Sequence, residues 1–64
     1  MVYVTAPGRP GREYHSLDEA QRDIGPAPLD APPDRALAVA RAYEGGPVTK
    51  VLTPSGLGAS WHDA

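Results

Sequence analysis

The chain is 64 residues long, has no cysteine and carries a net charge of −2 from six basic and eight acidic residues. That length allows one domain of marginal stability, burying only about 60% of the surface its unfolded chain exposes. The missing cysteines exclude disulfides and thiolate metal sites, and the lack of a basic excess speaks against a duplex-binding module.

Residues 2–15 read as a β-hairpin. Val2-Tyr3-Val4-Thr5 is a β-branched and aromatic run. Ala6-Pro7-Gly8-Arg9-Pro10-Gly11 is a loop, because two prolines and two glycines prevent a ladder, and Arg12 to His15 is the return strand. Pairing Thr5 with Arg12 would put Val4 opposite Glu13. A one-residue bulge that moves Tyr14 to the face of Val4 is favoured, because the apolar set then clusters.

Residues 16–24 read as a helix. Ser16-Leu17-Asp18-Glu19 is a capping box: the Ser16 hydroxyl accepts from a free amide of the first turn and Glu19 reaches back to the Ser16 amide. Leu17, Ala20 and Ile24 share one side, and Gly25-Pro26 ends the element. Residues 25–33 form a Pro-rich, extended connector, with Leu29 expected to pin it to the core.

A second helix is expected over 33–44. Pro32-Pro33 suits a first turn, Ala36, Val39, Ala40 and Tyr43 fall on one stripe, and Gly45-Gly46-Pro47 stops the helix. Residues 48–62 read as a second hairpin, Val48 to Thr53 and Ala59 to His62 around Pro54-Ser55-Gly56-Leu57-Gly58. Pairing Thr53 with Ala59 would place Trp61 beside Val51.

The two ends resemble each other: an apolar run ending in Thr, a Pro/Gly loop, then an aromatic followed by His, at Tyr14-His15 and Trp61-His62. Together these elements predict a small two-layer α+β domain in the order hairpin-helix-helix-hairpin (ββααββ). Two short helices would cover an antiparallel sheet whose core holds Val2, Val4, Tyr14, Leu17, Ala20, Ile24, Leu29, Ala36, Val39, Ala40, Tyr43, Val51 and Trp61.

The inventory of chemical groups is thin. Ser60, His62 and Asp63 cannot form a triad from neighbouring strand positions, whose side chains alternate between faces. Asp18, Glu19 and Asp23 suit the polar face of a helix, and so small a core leaves scant room for a pocket. The chain is therefore expected not to be an enzyme and to need no cofactor. The expected function is that of a non-catalytic interaction or structural accessory protein, acting by self-association into a homo-oligomer or by docking on another protein. The partner-binding residues would be Arg9 and Arg12 in the loop, with Tyr3, Leu57 and Trp61. One alternative is a small nucleic-acid-binding regulator using the Arg9/Arg12 loop, which the acidic balance disfavours. Another is a metal site in which His15 and His62 converge.

No apolar run approaches the ~20 residues of a membrane span, and Val2 to Val4 is too short for the apolar core of a signal peptide. The expected location is the cytoplasm. The Ala, Gly, Pro and Arg bias suggests a GC-rich bacterial or phage genome, and in the phage case a virion component.

Overall fold

A computed structural model describes residues 1–64. The element order is β1 (Val2–Thr5), β2 (Arg12–Tyr14), α1 (Leu17–Ile24), β3 (Ala38–Arg41), β4 (Val48–Ser55) and β5 (Gly58–Asp63). The strands form one antiparallel sheet in the order β2-β1-β3-β4-β5. The protein is thus mostly β with one short helix, and the expected ββααββ arrangement with two helices is wrong.

The error lies in residues 33–44. No helix forms there; Ala38–Arg41 is a strand in the middle of the sheet. It pairs with β1 (Val4 opposite Ala40) and with β4 (Val39 opposite Val51). Ala38 and Ala40 face the core and are fully buried, while Val39 and Arg41 point to the other face and are half-buried. The turn after β3 explains Gly45-Gly46-Pro47. Gly45 has φ 78°, the Gly46 amide donates to the Tyr43 carbonyl, and the Arg41 guanidinium donates to the Gly46 carbonyl. A positive φ at the third residue of a four-residue turn is the type II requirement that glycine meets. The glycines that would have stopped a helix here reverse a strand.

The first helix is present where the capping signal puts it. Ser16 is the N-cap and its hydroxyl accepts from the Glu19 amide at 3.2 Å. The reciprocal half of the box is not made: the Glu19 carboxylate turns to His15 Nδ1, 3.3 Å away. Gly25, at φ 88°, closes the helix by donating to the Gln21 carbonyl.

Both hairpins exist, each in a register one residue from expectation. In the first, Val2 lies opposite Tyr14 and Val4 opposite Arg12, an unbulged ladder that still brings Tyr14 to the core face. In the second, Ser55 pairs with Gly58 across the two-residue turn Gly56-Leu57. Gly56 alone has a positive φ, as a type II′ turn requires. This tighter turn places Trp61 beside Leu52 on the core face, and Val51 beside His62 on the other.

The core consists of Val4, Tyr14, Ala20, Ala38, Ala40 and Leu52, with Val2, Leu17, Ile24, Leu37, Ala59 and Trp61 packed around it. Five residues expected in the core lie outside it. Leu29 is fully exposed because the connector does not pack it on the sheet, and Ala36 and Tyr43, the latter 65% exposed, stay outside because no second helix carries them inward. Val39 and Val51 are half-buried on the sheet face that α1 does not cover.

Leu52 is the only large side chain with no exposed surface. Leu52→Ala is expected to cost about 2–5 kcal/mol, which urea denaturation would measure as a large fall in midpoint. A loss below about 0.5 kcal/mol, the range of surface changes, would contradict this packing.

Candidate functional site

Arg9, Arg12 and Tyr14 converge on Asp23. The hairpin loop brings Arg9, and the start of β2 brings Arg12, to the C-terminal end of α1, where Asp23 lies. The Tyr14 hydroxyl donates to Asp23 Oδ2 at 2.6 Å, and Nη1 of Arg9 and Nη1 of Arg12 lie 3.5 and 3.7 Å from the same oxygen. Arg9 Nη1 also donates to the Asp23 carbonyl at 3.3 Å, and the Arg12 guanidinium stands 5.2 Å from the Tyr14 ring centroid. These residues line a cleft of about 280 Å³ with Gly8 and Pro10.

The electrostatics follow from that geometry. The Tyr14 hydrogen bond outweighs the opposing effect of burial and, with smaller contributions from the two arginines, holds the Asp23 carboxyl below the usual range. The same hydrogen bond, with burial and the Asp23 charge, pushes the Tyr14 phenol up. The cluster clamps the β1–β2 loop onto the helix. The arginines of the loop are thus engaged with the chain's own carboxylate, although both guanidinia remain substantially exposed.

The other residues singled out in the sequence do not join Arg9 and Arg12 on one surface. Tyr3 lies on the uncovered sheet face, opposite Arg41 on β3, with its ring over Gly11; burial first, and then the Glu44 carboxylate, raise its phenol pKa. Leu57 is 96% exposed at the tip of the β4–β5 hairpin. Trp61 is on the core face of β5, packed against the core, with its indole N–H buried and unpartnered. His15 follows one edge strand, and His62 lies on the edge strand at the opposite side of the sheet. No three His, Asp or Glu side chains gather as a group able to hold a metal ion.

Two features escaped the sequence reading. An open groove of about 700 Å³, larger than the expected scant space, runs between α1 (Asp18, Gln21, Arg22) and the start of β5 (Gly58, Ala59). Gln21 Nε2 crosses it to donate to the Ala59 carbonyl at 2.7 Å. The second feature is the edge formed by β5, six residues long with no proline. The Ala64 amide donates to the Thr49 carbonyl, so the bonded pairs of the β4–β5 ladder continue as Val51–His62, Thr53–Ser60 and Ser55–Gly58. The amides and carbonyls of Ala59, Trp61 and Asp63 therefore point away from the sheet. The one charge on this edge, Asp63, is held by Lys50 of β4, and that hydrogen bond lowers its carboxyl pKa. The edge charge that ordinarily repels added strands is thus paired within the chain, while its carboxylate stays exposed.

No helix is long and apolar enough to cross a membrane. Comparison with known protein families, curated proteins and solved structures found no match.

The Asp23 cluster predicts a pH dependence. Because the folded carboxyl pKa lies below its unfolded value, the stability that Asp23 contributes is fully present above the ordinary aspartate range. It is lost as pH falls through the lowered folded value. Melting curves from neutral pH downward should show a smaller acid-induced loss in Asp23→Asn than in the parent. Equal losses in the two proteins would refute the clamp.

Proposed function

We propose that the protein is a non-catalytic interaction module whose docking element is the free edge of β5. The single observation that supports this reading is the unequal treatment of the two sheet edges. At one edge β2 is three residues long and follows Pro10, a short edge that resists pairing. At the other, β5 offers the outward backbone groups of Ala59, Trp61 and Asp63, of which the Ala59 carbonyl already accepts from Gln21, and its only charge is already paired. An unpaired strand of this kind binds by accepting a further strand, main-chain hydrogen bonds giving affinity and alternate side chains giving selectivity. The marginal size of the chain adds weight, since small domains without disulfides or metals often gain stability by association. The engagement of Arg9 and Arg12 with Asp23 gives the nucleic-acid reading no comparable support.

Native mass spectrometry of the untagged protein from its own host tests the proposal. The expected result is mass at a multiple of the chain, or chain plus a second protein. Ala59→Pro removes an outward amide at an edge position where proline is tolerated. It is expected to reduce the associated fraction at least about tenfold, with hot-spot losses as the guide, while the melting temperature stays close to the parent's. A monomer in every preparation, or association unaffected by Ala59→Pro in a folded variant, would count against the β5 edge as the docking element.

A further inference from the structure

We propose that the strand accepted by β5 is β5 of a second copy of this chain, paired antiparallel about Trp61, so that two five-stranded sheets join into one. This inference rests on the reading of β5 as the docking edge and names its occupant.

The register follows from which backbone groups are free. Antiparallel pairing across the edge requires outward residues to face outward residues, and those are Ala59, Trp61 and Asp63. Centring the pair on Trp61 sets Ala59 opposite Asp63 of the second copy, Trp61 opposite its counterpart, and Asp63 opposite Ala59. This is the register that engages all three residues, forming about six new backbone hydrogen bonds. The Ala59 carbonyl, already accepting from Gln21, has a second lone pair for the incoming amide.

Side chains agree with this register. A shift that brought Asp63 opposite Asp63 would set like charges side by side, and pairing about Trp61 separates them. Asp63 of the second copy instead arrives beside Ala59, at the mouth of the groove whose helical wall carries Arg22. Arg22 is exposed, and its side chain makes a 3.4 Å contact to the Asp18 carbonyl. On the uncovered face Ser60 meets His62 of the second copy, and on the core face the two Trp61 rings become cross-strand neighbours. The pairing is isologous and closes as a twofold dimer, because the only other edge is the short β2. A five-residue overlap per chain is small beside a standard interface, so the dimer should be weak and concentration-dependent.

Amide hydrogen exchange by NMR at low micromolar and at millimolar concentration tests the pairing. The expected result is a rise in protection with concentration at Ala59, Trp61 and Asp63, about tenfold or more once the paired state dominates. Ser60 and His62, already bonded to β4, should change little. Ala59→Pro should abolish the rise while remaining folded. A dimer that protects other amides would overturn this pairing and leave the interaction reading standing. A chain that stays monomeric at millimolar concentration would overturn the pairing, with complexes from the host then deciding the broader reading.

Discussion

The structure depends on one strand. Ala38–Arg41 is the one strand that joins the N-terminal hairpin to the C-terminal one within the sheet, pairing with β1 on one side and β4 on the other. A two-stranded hairpin is marginal in water, whereas a sheet of three or more strands with a covered face can stand alone. β3 converts two marginal hairpins into one five-stranded sheet. Its small residues fit that position: Ala38 and Ala40 sit under the single short helix, whose own buried residue is Ala20.

From this placement the rest follows. With β3 in the middle, the two hairpins point their outer strands away from each other and make β2 and β5 the two edges. The β2 edge is tied down by the Tyr14–Asp23 hydrogen bond and the flanking arginines, which fasten the loop to the helix. The β5 edge has only the Gln21–Ala59 contact on its outward side. One helix covers one face of the sheet, and the other face carries Tyr3, Thr5, Val39, Arg41, Val51 and His62 in a mixed polar and apolar pattern typical of a solvated antiparallel sheet.

Local signals in the sequence were legible where local chemistry decides the structure. Ser16 with an acidic first turn specified the helix start, and Pro and Gly clusters marked where the chain reverses in both hairpins, although Pro54, Ser55 and Gly58 belong to strands. The failure at 33–44 has a definite source. Ala36-Leu37-Ala38-Val39-Ala40-Arg41-Ala42-Tyr43 alternates small and large residues with period two, yet its alanines also supply high helix propensity and a plausible helical stripe. Tertiary pairing on both sides outweighed that propensity. The hairpin registers missed by one residue because turn length sets register, and Gly56-Leu57 closes a tighter turn than the five-residue loop expected. For the site, Arg9 and Arg12 were recognisable as a cluster, but their partner Asp23 is brought to them only by the folded chain. The open β5 edge could not be read at all, since which strand ends a sheet is a property of topology.

The most direct test of this architecture is a set of cross-strand proton contacts by NMR. The fold predicts contacts between Val4 and Ala40 and between Val39 and Val51, with strand-type amide patterns from Ala38 to Arg41. Helix-type sequential amide contacts running through residues 33–44, without those cross-strand pairs, would contradict it.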